Sequence, residues 1–219
     1  FDHLGREHGF AVELAWLSEC PGVLGVEVSD SRRCSSFNDA VAARVRDGGL
    51  SSVVLVGSWG PYLEPGSRPI LRDLENGSRD QEAFAAGLAR TAEVVQGAGG
   101  RLVVVGPTPG APGDIPYRLA AARVFGLAIP PGKPTTSVLA SQSRFWGIVG
   151  AIRSDAPVVR IDPTPWFQDG EQFRYLDDRE GLLYRDGGHL SVTGADFVKR
   201  RFPVEVLFGP DLSAPQRDE

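Results

Sequence analysis

Three short runs of apolar residues constrain the fold of this chain more than any other feature. They are 52–56 (SVVLV), 102–105 (LVVV) and 157–161 (PVVRI). Runs this short and this apolar are typical of strands that are buried on both faces of a sheet. Segments with helical patterns precede and separate them, at about 35–47, 78–97, 117–125 and 137–154. The alternation predicts an α/β fold, a three-layer sandwich with a central, mostly parallel sheet and helices on both faces.

Weaker patterns predict three further elements. Residues 10–17 (FAVELAWL) alternate between apolar and polar side chains, which is typical of a strand. Asp169 and Gly170 form a turn signal that predicts a small hairpin inside an otherwise irregular segment. Residues 193–201 have the pattern of a closing helix.

Length and charge bound the class of protein. The 219 residues fit a single domain, which we place at 1–209, followed by a polar tail at 210–219. The net charge is −5 and the cations form no basic stripe, which argues against a nucleic-acid partner. No apolar run approaches the ~18 residues that a membrane span needs. The first residues lack the basic start and the apolar core of a signal peptide.

The predicted sheet indicates where a site would lie, because ligands of parallel sheets bind beyond the carboxyl ends of the strands. Loops leave those ends near Cys20, at Gly57–Tyr62 and at Pro107. The turn at Asp186–His189 could cover the same edge. The sequence therefore predicts a site built from these loops.

The turn Asp186-Gly187-Gly188-His189 contains the most promising catalytic pair. Two glycines allow the backbone to fold the Asp186 carboxylate back onto the His189 ring. A carboxylate on one ring nitrogen leaves the other nitrogen as a general base, which is the base-and-orienter half of a hydrolase triad. The alternative is an ordinary turn, because D-x-x-H also occurs by chance. We interpret Asp186 and His189 as catalytic because of the residues that flank them.

Two cysteines, Cys20 and Cys34, are 14 positions apart and form no C-x-x-C metal pattern. They are either two unrelated buried thiols or one disulfide, and a disulfide would indicate an oxidising compartment. The residues between them include Pro21, Gly22 and Gly25, which predict a loop. We favour the disulfide, because a cross-link would restrict this loop in the unfolded chain.

Residues 183–195 (LYRDGGHLSVTGA) resemble the last sequence block of SGNH hydrolases. More narrowly, they resemble that of the SGNH domain that follows the integral-membrane domain in bacterial polysaccharide O-acyltransferases. Residues 19–21 and 34–38 resemble the family's Cys-Pro block and its second cysteine, and residues 53–62 resemble its apolar strand followed by W-x-x-Y. The resemblance covers roughly residues 1–202 and implies a flavodoxin-like SGNH fold with a Ser-His-Asp triad.

This chain differs from the family pattern in two places. The family often has a second cysteine pair where Phe167 and Phe173 stand here. Its nucleophilic serine lies in a Gly-Asp-Ser block after the first strand, and residues 1–219 contain neither this block nor a G-x-S-x-G elbow. Either the first strand and its serine precede Phe1, or the protein has no nucleophile. We favour the first interpretation, because a central strand is hard to lose from a sheet.

The resemblance defines the oxyanion hole less well. SGNH enzymes commonly use the asparagine of a G-x-N-D block, and Trp59 stands in its place here. Trp59 could donate only its indole N–H, so we interpret it as a platform for a sugar or acyl group, or as a core residue. Backbone N–H groups of Gly57 or Gly22 could donate to the oxyanion. Tyr62 could line the same cleft or simply pack in the interior.

The sequence gives no reason to expect a metal or a cofactor. Asp169, Glu171, Asp177 and Asp178 lack the spacing of an EF-hand and are more simply interpreted as a solvated loop. No glycine-rich phosphate loop follows any predicted strand.

The resemblance implies a function for the whole protein. A membrane acyltransferase domain of the same polypeptide would deliver an acetyl group, and the SGNH serine would pass it to a hydroxyl of a glycan acceptor. The chain would then lie in the periplasm or outside the cell membrane, tethered to the inner membrane. One alternative is a free-standing SGNH esterase that removes acetyl groups from glycans. The other is a catalytically inactive, glycan-binding domain.

Overall fold

The computed structural model describes residues 2–29, 31, 33–63, 70–152 and 158–208. This part of the chain forms two compact units. Unit 1 comprises the described residues of Phe1–Gly106, Arg144–Ile161 and Pro203–Glu219, and unit 2 comprises Pro107–Ser143 and Asp162–Phe202. The domain end expected at 209 and the polar tail expected at 210–219 lie outside the described residues.

Helices and strands alternate along the chain. The α-helices are α1 (Asp2–His8), α2 (Cys34–Arg46), α3 (Asp80–Gly97), α4 (Ile115–Phe125), α5 (Thr135–Ala151), α6 (Thr164–Phe167) and α7 (Val192–Lys199). The strands are β1 (Val26–Val28), β2 (Ser52–Val56), β3 (Leu71–Asp73), β4 (Arg101–Val105), β5 (Lys133–Pro134), β6 (Val159–Ile161), β7 (Gln168–Asp169) and β8 (Gln172–Phe173). Short 3₁₀ helices lie at Gly60–Tyr62 and Val204–Leu207. The long helices α2 to α5 lie close to their expected positions; the end expected for α5 at 154 lies outside the described residues.

The central sheet of unit 1 is parallel. Its strand order is β2-β4-β6, with Val54 opposite Val103 and Val105 opposite Ile161. Residues 102–105 of β4 are buried, as the apolar run predicts. The predicted α/β class with a parallel sheet is therefore confirmed.

Strand β2 has the predicted bounds but not the predicted burial. It is half-buried along most of its length, and Val56 is 62% exposed. Within the described residues β2 pairs only with β4, so one of its edges has no neighbouring strand. The expectation that both faces of β2 are buried was therefore wrong. An apolar run predicts a strand, but it does not determine which elements cover the faces of that strand.

Residues 10–17 do not form the strand that their alternation predicts. They pair with no strand in the part of the chain that the structure describes, and Leu14 and Trp16 are 88% and 77% exposed. Alternation sets which side chains share a face. A strand also needs a partner for its backbone N–H and C=O groups, which the pattern does not provide.

The cysteine pair forms the disulfide that we favoured. Cys20 and Cys34 are joined, with their Cα atoms 5.3 Å apart. The bridge fastens the loop before β1 to the first residue of α2. One turn further along α2, the buried Asn38 amide donates to the carbonyl oxygens of Pro21 and Val23, both at 2.9 Å. The covalent and the polar contacts therefore hold the same loop.

We expect the double variant Cys20→Ala/Cys34→Ala to lose about 3 kcal/mol of unfolding free energy, because the cross-link no longer restricts a loop of this size in the unfolded chain. Urea unfolding measures the loss. Reductant should lower the wild-type midpoint to that of the variant and leave the variant unchanged. Equal unfolding midpoints for the two oxidised proteins would contradict the expectation.

A buried ion pair connects the antiparallel pair β1–β3 to α3. Asp73 on β3 is fully buried, and its Oδ2 accepts from the Arg90 guanidinium at 2.6 Å. Its Oδ1 accepts from the backbone N–H groups of Glu75 and Asn76, at 2.9 and 3.1 Å. Arg90 also donates to Leu24 O at 3.0 Å. This network joins β3 and the loop before β1 to helix α3 through polar contacts.

Unit 2 has its own core and a small antiparallel sheet in the order β5-β8-β7. The predicted hairpin at Asp169–Gly170 is confirmed as the turn between β7 and β8. Phe167 and Phe173 are almost fully buried in this core. No helix in the described residues combines the length and apolar character needed to span a bilayer.

Candidate active site

A hairpin-like segment of unit 2 carries the candidate catalytic turn. Tyr184 and Leu190 form an isolated antiparallel bridge, and Arg185 N donates to His189 O at 2.9 Å. Leu183 and Tyr184 at the base of the segment are fully buried. The turn between them and Leu190 therefore projects from an anchored base.

The other side of the segment is fastened to helix α7. The Ser191 hydroxyl accepts from Gly194 N at 3.0 Å, which caps the helix, and it donates to Leu182 O. A Cβ atom at Gly194 would lie 2.0 Å from Leu183 O, so only glycine allows this approach. The cap and the close contact fix where the segment enters α7.

Asp186 and His189 form the contact that the sequence predicts. His189 Nδ1 lies 2.8 Å from Asp186 Oδ2 and 3.0 Å from Oδ1. The Asp186 Oδ1 atom also accepts from the backbone N–H groups of Gly188 and His189, at 2.9 and 2.8 Å. Arg185 Nε lies 3.6 Å from Asp186 Oδ2. The carboxylate is thus held by the backbone of the turn while it faces the ring.

These contacts set the charge of Asp186 and the tautomer of His189. The backbone N–H groups of Gly188 and His189, with a smaller contribution from the ring, lower the pKa of Asp186 to about 2. The carboxylate is therefore ionised near neutral pH and can only accept, so a neutral His189 carries its proton on Nδ1. Its Nε2 makes no hydrogen bond within the described residues, and the side chain is 70% exposed. Nε2 is available as a general base.

The loop that precedes α4 supports the turn from the side. Ala111 N donates to Gly187 O at 3.0 Å, and Lys133 Nζ donates to Pro109 O at 3.2 Å. Partial burial lowers the pKa of Lys133. Gly110, between these contacts, has φ +71°, and a Cβ atom there would lie 2.7 Å from Gly187 O.

A buried polar chain holds the start of the same loop. The Thr164 hydroxyl donates to Gln142 Oε1 at 2.6 Å, and Gln142 Nε2 donates to Pro107 O at 3.1 Å. Both side chains are at least 95% buried. Because the polar side-chain atoms in this series of hydrogen bonds have partners, the loop is held without a desolvation cost from unpaired groups.

Gly110→Ala tests the support that this loop gives to the turn. The new methyl group clashes with Gly187 O, so we expect the turn to shift and acyl-ester turnover to fall by about 10²-fold, as for a displacement of about 1 Å. Gly126→Ala is the matched control, because Gly126 has φ +64° but no atom near its Cβ position. Both variants should lose similar stability from backbone strain. Equal activities in the two variants would show that the loop does not position the turn.

The other predicted cleft residues belong to unit 1, and the structure favours the core interpretation of Trp59. Trp59 is 2% exposed, its indole N–H donates to Val105 O at 2.9 Å, and its ring stacks on Phe145 with centroids 5.5 Å apart. Its only side-chain donor is already used and no ring face is open to a ligand. We therefore leave Trp59 out of the proposed site.

Gly57, Gly22 and Tyr62 remain candidates that no observation assigns. Cβ atoms at Gly57 and Gly22 would each lie 3.1 Å from a neighbouring side chain, those of Trp59 and Leu55. Tyr62 ends the 3₁₀ helix and is half-buried, and burial, with a contribution from Glu19, raises the pKa of its hydroxyl. Their role at an oxyanion hole stays a prediction.

Among the described residues, no group of three histidine, cysteine or acidic side chains is arranged to hold a metal ion. Asp169 and Asp178 are exposed, and each faces Arg174, at 3.9 and 2.8 Å.

Sequence reasoning predicted the Pro107 loop at the same sheet edge as the catalytic turn, but it missed Lys133 as a support of that turn. The one available signal was the rarity of lysine, because Lys133 and Lys199 are the only two in the chain. Its contact with Pro109 joins residues 24 positions apart, and no local pattern indicates it.

Comparisons with known proteins identify the family and the fold. Residues 1–203 match the family model described as an SGNH domain fused to AT3 domains. No curated protein matches the chain. A solved structure with the same fold is the periplasmic domain of a lipopolysaccharide acetyltransferase from Salmonella ser. Paratyphi A, with a TM-score of 0.66 and 16% identity. The match covers 94% of this chain and 77% of that one.

Proposed function

We propose, because this chain belongs to the family of SGNH domains fused to AT3 domains, that it is the extracytoplasmic catalytic domain of a polysaccharide O-acyltransferase. The observation that carries the proposal is the contact of 2.8 Å between His189 Nδ1 and an ionised Asp186. In this proposal the domain takes an acetyl group onto a serine and passes it to a sugar hydroxyl.

His189 is the general base in both halves of the reaction. Its Nε2 removes the proton of the serine hydroxyl as the serine attacks the acetyl donor, and it returns that proton to the leaving group. In the second half Nε2 removes the proton of the acceptor hydroxyl and returns it to the serine. Asp186 holds Nδ1–H and stabilises the imidazolium ion that forms in each half.

The nucleophile in this proposal is a serine that precedes Phe1 in the whole protein, as the Gly-Asp-Ser block does in the family that the sequence resembles. The acyl donor is the membrane acyltransferase domain of the same polypeptide, and the acceptor is a glycan. The domain would then lie in the periplasm or outside the cell membrane, tethered to the inner membrane. The fusion of this family to AT3 domains supports such a donor.

A glycan esterase is favoured by one observation, because the 70% exposure of His189 gives water access to the base. The third candidate is an inactive, glycan-binding domain, which would not need His189 as a base.

Acetylation of cell-surface polysaccharide distinguishes these three functions. We expect deletion of the gene and the chromosomal His189→Ala allele to lower the O-acetyl content of the polysaccharide equally, as measured by mass spectrometry. An esterase would instead leave more acetyl groups in both strains. A binding domain would lose function on deletion but not in the His189→Ala strain, and either of these results would overturn the proposal.

A further inference from the structure

Helix α4 and the segment after it carry an exposed apolar surface in unit 2. Tyr117, Val124, Phe125, Leu127 and Ile129 are between 57% and 75% exposed, and we refer to these five residues as the α4 surface. Large apolar side chains gathered at neighbouring positions on a protein surface mark an interaction site.

The helix is apolar on both sides, which an ordinary surface helix is not. Ile115, Leu119 and Ala122 are buried against unit 2, while Tyr117 and Val124 lie seven positions apart on the exposed side. A soluble surface helix normally has a polar outer face. The exposed apolar side chains of α4 are therefore suited to contact with an apolar partner, just as its buried side chains contact the core.

The charged side chains of α4 itself are both cations, although Asp114 directly precedes the helix. Residues 115–152 contain no aspartate or glutamate, although the chain as a whole has 28 of them in 219 residues. Arg118 and Arg123 are the cations of α4; Arg123 pairs with the exposed Glu180 at 3.1 Å, and Arg118 Nη1 lies 3.4 Å from Pro112 O. Both guanidinium groups are exposed and accessible to an anionic partner.

We propose that the α4 surface lies on the surface of a lipid bilayer that contains anionic phospholipid. Aromatic and aliphatic side chains flanked by arginines are the composition of helices that lie in the membrane interface. The family's fusion to AT3 domains, which we expect to be membrane acyltransferase domains, supports a position beside a bilayer. In this arrangement the five apolar side chains enter the headgroup region, and Arg118 and Arg123 contact lipid phosphates.

The arrangement also affects the catalytic turn. The loop that contacts Gly187 through Ala111 leads directly into α4 at Ile115. A bilayer that fixes α4 therefore fixes the support of the Asp186–His189 turn. This inference depends on the family and not on the proposed acyl transfer, so the two can fail separately.

Co-sedimentation of the chain with vesicles tests the proposal. We expect binding to vesicles of phosphatidylcholine with phosphatidylglycerol, and Phe125→Ser/Leu127→Ser should weaken it at least about tenfold. Arg118→Gln/Arg123→Gln should weaken it roughly tenfold on the anionic vesicles. Leu14→Ser/Trp16→Ser is the matched control, because it removes an even more exposed apolar pair from unit 1, and it should bind like the wild type.

Three results would overturn the proposal. One is failure of the wild-type chain to bind the anionic vesicles. Another is an equal loss of binding in the control pair, which would indicate non-specific adsorption. The third is a dimer in sedimentation that Phe125→Ser/Leu127→Ser abolishes without any vesicle binding by the wild type, which would make a second copy of the chain the partner. Urea unfolding of each variant confirms that it is folded before its binding is compared.

Discussion

Replacement of His189 by alanine is expected to lower acyl-ester turnover of the full-length protein by about 10⁴-fold or more, because the base of a triad acts in every proton transfer. His189 is 70% exposed and its ring is hydrogen-bonded only to Asp186 among the residues described, so the variant should remain folded. Turnover of an acetyl ester at fixed pH measures the loss. His3→Ala is the control, because His3 is a comparably exposed histidine, 61% accessible, that contacts Glu7 and no catalytic group.

Asp186→Asn tests the orientation of the His189 ring while it leaves the proton-transferring imidazole in place. The amide keeps the shape of the carboxylate but neutralises it, and it no longer selects the tautomer with Nδ1–H, so we expect a loss of about 10²- to 10⁴-fold. Because the pKa of Asp186 is about 2, the carboxylate is ionised at every working pH. The variant should therefore be slower than the wild type at every pH between 5 and 9. A loss confined to one end of that range would contradict the assigned role.

Arg90→Leu is expected to have the largest effect on stability, about 3–5 kcal/mol, because it leaves a fully buried carboxylate without its cation. Asp73 is 0% exposed, and Arg90 is its partner at 2.6 Å. Arg72→Leu is the matched control, because Arg72 is the exposed neighbour of Asp73 on β3. Urea unfolding at pH 7 measures both variants. If both variants lost the same unfolding free energy, the buried ion pair would make no contribution beyond that of an exposed arginine.

The Asp73–Arg90 pair also makes the unfolding free energy depend on pH, with a loss of stability at acidic pH. Burial alone would raise the pKa of Asp73, but the bonds from Arg90, Glu75 N and Asn76 N together hold it below its usual value. The stability that Asp73 contributes is therefore present above its unfolded pKa of about 3.9 and is lost as the pH falls through the folded pKa. In Arg90→Leu the pKa of the unpaired carboxyl rises, so protonation relieves the buried charge. The difference in unfolding free energy between wild type and Arg90→Leu should therefore become smaller below pH 5. A difference that stays constant with pH would contradict this expectation.

Local patterns predicted the elements that depend on local chemistry. The run at 52–56 gave β2 with the observed bounds, because a short apolar segment between turn residues has few other conformations. The Asp186–His189 contact was predictable because two glycines and three positions of separation bring the side chains together. The disulfide was favoured from the loop predicted between the cysteines, and it is present, although that segment also contains strand β1.

Features that depend on distant partners were not predictable. The alternation at 10–17 resembles a strand, but only the rest of the fold decides whether a partner strand is present. Lys133 supports the catalytic turn through a contact with Pro109, and Arg90 neutralises Asp73 across 17 positions. Trp59 was placed at a cleft by its position in a family block, whereas its indole is buried. In each case contacts with residues distant in the sequence determine the role, and the local sequence does not predict those contacts.

Labelling with a fluorophosphonate probe, followed by mass spectrometry of the intact full-length protein and its peptides, tests the central claim most directly. The account predicts one adduct, on a serine that precedes Phe1, which is lost in His189→Ala and retained in His3→Ala. That result would mean that Asp186 and His189 activate a nucleophile. A full-length protein that takes no adduct, or one whose adduct survives in His189→Ala, would contradict the claim that this pair is catalytic.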